Sequence, residues 1–140
     1  MKNLLLVGGG GYIGSVLTKY FIKNKDIENI YIIDNLIYKN QIFDKKLRDN
    51  KKVIFIKKDY RNNSSQKKIF PKVSDVVILA GLVGDPITKK YPSLSDEINL
   101  KGIKKLIYKL NEFSNIKRFI FVSTCSNYGV IKNKFANEKS

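Results

Sequence analysis

The stretch Leu4-Leu5-Leu6-Val7-Gly8-Gly9-Gly10-Gly11-Tyr12-Ile13-Gly14 decides how the rest of the chain is read. Its uninterrupted apolar run, Leu4 to Val7, suits a strand buried on both faces. From Tyr12 to Asn24 the spacing becomes that of a helix, with Ile13, Val16, Leu17, Tyr20 and Phe21 on one face. The glycines therefore stand where a strand turns into a helix. A pyrophosphate at such a turn needs backbone N–H groups aimed at it, and Cβ atoms would hold it off. Gly8 and Gly11 leave the turn bare, and Gly14, one helical turn further on, lets the helix pack close against the strands. Consecutive glycines also suit a flexible turn; the flanking strand and helix weigh for the dinucleotide-binding form.

Asp34 adds to that weight. A second strand, Ile30-Tyr31-Ile32-Ile33, ends in Asp34 twenty positions after Gly14. At that offset a carboxylate can bond the 2′- and 3′-hydroxyls of an adenosine ribose, and it repels a 2′-phosphate, which favours NAD over NADP. Asp34-Asn35 also has a plainer reading as a strand terminator, since both residue types are common in turns.

Three further strand-like segments follow: Val53 to Ile56, Val76 to Leu79 and Arg118 to Val122. Helical segments are expected at Gln41 to Arg48, Ser64 to Phe70 and Ser95 to Phe113, with Pro71, Pro86 and Pro92 in connections, where a missing N–H is harmless. Alternation of this kind gives a parallel sheet covered on both faces. Right-handed crossovers then set the strand order 3-2-1-4-5, with ligands at the carboxyl ends of the strands beside the switch point next to strand one. The remaining informative residues fall at those ends. Asp59, after the third strand, could accept from an adenine amino group with Tyr60 beside the ring, or could simply end the strand. Ala80 and Gly81, after the fourth, are small enough to pass beneath a dinucleotide or to pack closely on strand one. Thr124, after the fifth, is a polar residue at a strand end.

Length and composition set the bounds. A chain of 140 residues is one domain, with a core of useful size. Its 43% hydrophobic and 28% charged content is that of a soluble globular protein. No apolar run approaches the roughly 18 residues of a membrane span, and the run at Leu4 is short of a signal-peptide core of about 7–15, so a cytoplasmic location without membrane attachment is expected. Cys125 is the single cysteine and histidine is absent, which leaves no intrachain disulfide and no cysteine–histidine metal cluster. The net charge of +15 raises nucleic-acid binding. Against it, the arginines are only Arg48, Arg61 and Arg118, the lysines are spread along the chain, and the aromatics fall in apolar patterns. The charge is read as a solvated surface, or as the imprint of an A/T-rich coding sequence, rather than a nucleic-acid site.

Taken together, Gly8 to Gly14, Asp34-Asn35-Leu36, Asp59, Leu79 to Pro86, Asn99 and Ser123-Thr124-Cys125-Ser126-Asn127-Tyr128-Gly129 resemble the extended short-chain dehydrogenase/reductases. The likeness is to their NAD-dependent epimerase/dehydratase group, which acts on nucleotide sugars. It implies a Rossmann-like doubly wound α/β fold over residues 1–140, truncated after the fifth strand and without the carboxyl-terminal substrate-binding part. It also implies that NAD is held by Gly8, Gly11, Tyr12, Ile13, Gly14, Asp34 and Asn35, with Asp59 and Tyr60 at the adenine and Ala80, Gly81 and Leu82 beside ribose and nicotinamide. Thr124 matches the family's catalytic Ser/Thr, whose hydroxyl holds the reacting C–O group of the sugar and stabilises developing alkoxide charge. Asn99 is implied to bond backbone near the site from within the long helix. The complete enzyme would take a nucleotide-sugar substrate and could form a homodimer.

The sequence departs from the family in several places. Val7 stands where threonine is common. Cys125-Ser126 replaces the Asp-Glu pair of the 4,6-dehydratases, which need a proton donor for the leaving hydroxyl, so that subgroup is not expected. Cys125 has no histidine to activate it. The family's Tyr-x-x-x-Lys acid/base pair, some two dozen residues beyond the Ser/Thr, is absent from these 140 residues. Tyr128 and Lys132 have the spacing but lie in the family's Tyr-Gly loop, too near Thr124. The chain alone is thus expected to bind NAD weakly and to be inactive. The alternatives are a non-catalytic dinucleotide-binding or NAD-sensing module, and a fragment of a related NAD-dependent sugar reductase.

Overall fold

The computed structural model describes residues 1–39 and 43–129. Strand β1 spans Lys2–Val7 and is followed by helix α1, Tyr12–Ile22. Next come β2 (Ile27–Asp34), α2 (Lys45–Arg48), β3 (Val53–Lys57) and α3 (Asn63–Ile69). Strand β4 (Asp75–Ile78) leads to α4 (Asp85–Lys90). The long helix that follows begins as α5 (Pro92–Ser95), widens to π geometry over Asp96–Gly102 and ends as α6 (Ile103–Leu110), before β5 (Arg118–Phe121). All strand pairings are parallel and the order is β3-β2-β1-β4-β5. This is the expected doubly wound, Rossmann-like sheet.

Alternation along each strand sends its apolar side chains to two separate cores. Leu5, Val7, Tyr31, Ile33, Val76 and Ile78 join Ile69 and Phe70 at α3 and Ile103, Leu106 and Leu110 on α6. Leu4, Leu6, Ile30, Ile32 and Val77 join Phe43 and Leu47 at α2, with Leu17, Phe21 and Ile22 of α1 packed against them. Strand β1 is hydrophobic at every central position because both of its faces are covered. Each of those side chains contributes roughly 1.5–3 kcal/mol through burial. At the far side β5 is an edge strand among the described residues, and Phe119, Ile120 and Phe121 are exposed on both of its faces.

Several local expectations are corrected. Helix α1 does not bury the stripe expected from its spacing: Ile13, Val16 and Tyr20 are 52%, 51% and 67% exposed. The helix sits instead on its small residues, Gly14, Ser15 and Thr18, with Leu17 and Phe21 beside them. Gly14 causes this, since a Cβ there would overlap the backbone of Gly9, and the close approach it permits turns the larger side chains outward. The prolines do not lie in plain connections. Pro86 and Pro92 occupy the first turns of α4 and α5, and Pro71 the start of a short 3-10 turn, Phe70–Lys72. There, too, the N–H they lack has no helical partner to lose. Helix α4 was not expected from the sequence, and the long helix begins at Pro92 rather than Ser95. Of the helix expected from Gln41, Gln41 and Ile42 lie outside the described residues; the helix starts at Lys45, capped by Asp44, whose carboxylate accepts from the Leu47 N–H.

Replacing Gly14 by Ala is expected to destabilise the protein by about 1–3 kcal/mol, although alanine is favoured over glycine in helices by roughly 1 kcal/mol. Val16→Ala, on the outward face, should change stability by less than about 0.5 kcal/mol. Urea unfolding midpoints check both, and a neutral or stabilising Gly14→Ala would contradict the seating of α1.

Candidate functional site

The order β2-β1-β4 puts three loops side by side at the carboxyl end of the sheet, and the glycine turn after β1 is the middle one. Gly8 has φ +77°, and its N–H donates to the Ile33 carbonyl at 2.8 Å. A Cβ on Gly8 would also lie 2.6 Å from the Ala80 backbone, so neither the conformation nor the space admits a side chain. Its bareness thus serves the packing of the segment after β4 against the turn, with Ala80 in close contact there. Gly11 is different. It forms the N-cap of α1, and a Cβ there would meet nothing nearer than the Gly8 carbonyl at 3.7 Å. The helix N-terminus, with its outward N–H groups, therefore opens onto free space.

That space is a cleft of about 390 Å³. Gly8, Gly11, Tyr12, Ile13 and Gly14 line it on one side, Asp34 and Asn35 at the end of β2, Asp59 and Tyr60 after β3, and Ala80, Gly81 and Leu82 after β4. Every residue expected to meet the cofactor is thus brought to one cleft. Thr124 is not. It is exposed beyond β5, outside the lining of the cleft, and its carbonyl accepts from the Asn127 N–H in a 3-10 turn, Cys125–Tyr128. Lys132 lies outside the described residues.

The Asp34 carboxylate is fixed by backbone. Oδ2 accepts from the Gly10 N–H at 2.8 Å and Oδ1 from the Leu36 N–H at 2.7 Å. The first bond ties the end of β2 to the glycine turn. A carboxylate offers about four acceptor positions, so each oxygen retains one for a hydroxyl. Asn35 braces the same corner, accepting from the Ile37 N–H at 3.1 Å and reaching Asp59 Oδ2 at 3.5 Å.

Asp59 is gripped by Arg61, whose Nε and Nη2 donate to Oδ1 and Oδ2 at 2.9 and 2.7 Å, while the Arg61 backbone N–H also donates to Oδ1. The Arg61 hydrogen bond holds the Asp59 carboxyl below its ordinary range against the opposing effect of burial. Tyr60 borders the cleft but belongs to the core. It is 8% exposed, and its hydroxyl donates to the Ile98 carbonyl inside the π segment of the long helix. Burial pushes the phenol up to about 12.

Asn99, from the same π segment, clamps the loop after β4. Its Oδ1 accepts from the Leu82 N–H at 2.7 Å and its Nδ2 donates to the Leu82 carbonyl at 2.8 Å. Gly81 lies against the same carboxamide. The expectation that Asn99 bonds backbone near the site is met. The residue that the sequence did not single out is Tyr38, which lines the cleft and whose hydroxyl accepts from the Val83 N–H at 2.9 Å. Nothing in the spacing around Tyr38 marks it, because the bond spans 45 positions between two irregular loops.

A bare helix N-terminus, a carboxylate at the end of the next strand and a cleft at the switch point between β1 and β4 are the arrangement of doubly wound dinucleotide-binding domains. The chain belongs to the NAD dependent epimerase/dehydratase family, which it matches over residues 4–140. It is 28% identical over 135 residues to the bifunctional protein GAL10 of Pachysolen tannophilus, an alignment covering 92% of this chain and 19% of that protein. The fold is similar to that of the UDP-N-acetylglucosamine 4-epimerase of Methanobrevibacter ruminantium M1, at 28% identity and TM-score 0.84, over 98% of this chain and 42% of that one. The UDP-Glc/GlcNAc 4-epimerase of Campylobacter jejuni matches at 26% identity and TM-score 0.86, over 100% and 42%. The chain thus spans about a fifth of the curated relative and about two fifths of these solved structures. Among the described residues no helix is long and apolar enough to cross a membrane.

The raised Tyr60 phenol favours the folded state wherever the neutral form is required. The stability it contributes is present below the ordinary value of 10.0 and is lost as the pH rises from there through about 12. Wild type is expected to exceed Tyr60→Phe in stability at pH 8 by about 1 kcal/mol, one net hydrogen bond. That gap should close between pH 10 and 12 in chemical denaturation, and a gap independent of pH would contradict the buried phenol.

Proposed function

We propose that the chain is the NAD-binding portion of a nucleotide-sugar epimerase/dehydratase-type oxidoreductase, acting by transient hydride transfer at a sugar carbon. The observation that carries this reading is the convergence of the glycine turn, Asp34, Asp59 and the loop after β4 on one cleft, with Asp34 bonded to the turn itself. The residues fit the cofactor. Gly11 and the first turn of α1 would hold the pyrophosphate, Asp34 the adenosine ribose, and the Asp59–Tyr60 corner the adenine. Bound NAD supplies the hydride acceptor and donor. Asp34, anchored by two N–H groups, holds ribose hydroxyls and repels a 2′-phosphate, which makes NAD the preferred dinucleotide. Thr124 would orient the reacting C–O group of a nucleotide sugar, by likeness to the family's Ser/Thr. We place the protein in the cytoplasm, where its single cysteine stays reduced.

The exposure of Thr124 outside the cleft favours a second reading, a dinucleotide-binding module without catalysis. On either reading these 140 residues are expected to give no epimerised product with NAD and UDP-glucose, as followed by NMR. Turnover would overturn that expectation and exclude the second reading.

Fluorescence titration should show saturable NADH binding, tighter than NADPH. Asp34→Asn keeps the side-chain shape but removes the charge. It is expected to weaken NADH about tenfold, the size of a charge-assisted hydrogen bond, and to narrow the preference over NADPH. Equal affinity of wild type for the two dinucleotides would sink the assignment of Asp34.

A further inference from the structure

Beyond the residues that would hold a dinucleotide, the bond between Tyr38 and Val83 has a placement of its own. Tyr38 belongs to the segment that leaves β2 and Val83 to the segment that leaves β4. These strands flank β1 on its two sides, and the glycine turn leaves β1 between them. A bond joining the two outer segments therefore crosses the carboxyl end of β1, and both of its residues line the cleft that also contains Gly8 and Gly11.

Both ends of this crossing are built. The Val83 N–H belongs to the same planar peptide as the Leu82 carbonyl, which accepts from Asn99 Nδ2 at 2.8 Å. With the carbonyl end bonded to the long helix, the N–H end points in a fixed direction, toward Tyr38. On the other side, Leu36 and Lys39 have φ +54° and +50°, the positive-φ non-glycine residues among those described, and they bracket Tyr38. Left-handed backbone at such residues is costly, and a bulky residue such as Leu36 is an outlier there. The loop is held in that shape by the Leu36 N–H on Asp34 Oδ1 and the Lys39 N–H on the Leu36 carbonyl, both local bonds. A strained loop fastened across the cleft by a solvent-accessible hydrogen bond at Tyr38 is poised to release.

We propose that Tyr38 is a latch: its hydroxyl fastens a strap across the mouth of the cleft to the Val83 N–H, and this bond opens and recloses each time a dinucleotide enters or leaves. The inference rests on the dinucleotide reading of the cleft. Tyr38 is then a residue that sets rates of exchange, acting through the strap.

The test is Tyr38→Phe in the protein, which keeps the ring and removes only the acceptor. Two measurements separate the latch from the reading beneath it: amide hydrogen exchange at Val83, which needs no ligand, and stopped-flow fluorescence with NADH. The latch predicts that Val83 exchange, NADH association and NADH dissociation all accelerate by a common factor of about five, the size of one net hydrogen bond. Affinity then shifts less than either rate. Faster Val83 exchange with unchanged NADH rates would overturn the latch and leave the dinucleotide reading standing. Faster dissociation alone, with weaker binding, would also overturn it and make Tyr38 a direct contact. Val83 protection in wild type that is lost in Tyr38→Phe, with no saturable NADH signal from either protein, would overturn the dinucleotide reading and the latch with it.

Discussion

Helix α1 lies against the end of β1 because Gly14 carries only hydrogen where it meets the Gly9 backbone. That approach fixes where the helix begins, and its first turn in turn fixes Gly11 at the rim of the cleft. The Gly10 N–H then reaches Asp34, so the end of the second strand is tied to the same turn. On the other side Gly8 leaves room for Ala80, which brings the fourth strand's loop to within reach. Two walls of the cleft thus depend on backbone contacts that admit no side chain, and the third on the Gly10 N–H held by the Asp34 carboxylate.

The second organising feature is the long helix. Its π segment presents Ile98 to the Tyr60 hydroxyl and Asn99 to both polar groups of Leu82, so one widened turn supports the third and fourth strand loops together. The polar groups nearest the cleft are engaged before any ligand arrives. Asp59 is in an ion pair, Asp34 has two N–H donors, and Leu82 is clamped. Partners fixed in advance reduce the ordering cost of binding.

How much of this was legible follows from what each signal measures. Apolar runs such as Leu4 to Val7 marked the five strands, and the right-handed crossover rule supplied their order. The glycine spacing and the Asp34 offset report backbone constraints, and the residues they point to line one cleft. Periodicity failed on α1, because it counts apolar residues and cannot see that a glycine seats the helix more closely than isoleucine or valine would. The segment at Asp85–Lys90 carries Pro86 and a pair of lysines, which reads as a loop until the first-turn position of the proline is known. Tyr38 was invisible for a different reason, since its partner is a backbone N–H and leaves no residue type to recognise. Thr124 matched a family position, yet it stands beyond β5 rather than in the cleft's wall.

The strand order also sets a schedule for synthesis. Strand β1 takes β2 as a neighbour soon after both have been made, but its other neighbour is β4, whose last paired residue, Ile78, lies opposite Val7. Until Ile78 has left the ribosome, the most apolar strand of the protein has one flank unpaired. Closing that flank means bringing together segments about half the chain apart, which is slow compared with forming helices. During translation the nascent chain therefore carries an open, hydrophobic sheet centre, the kind of surface that chaperones bind.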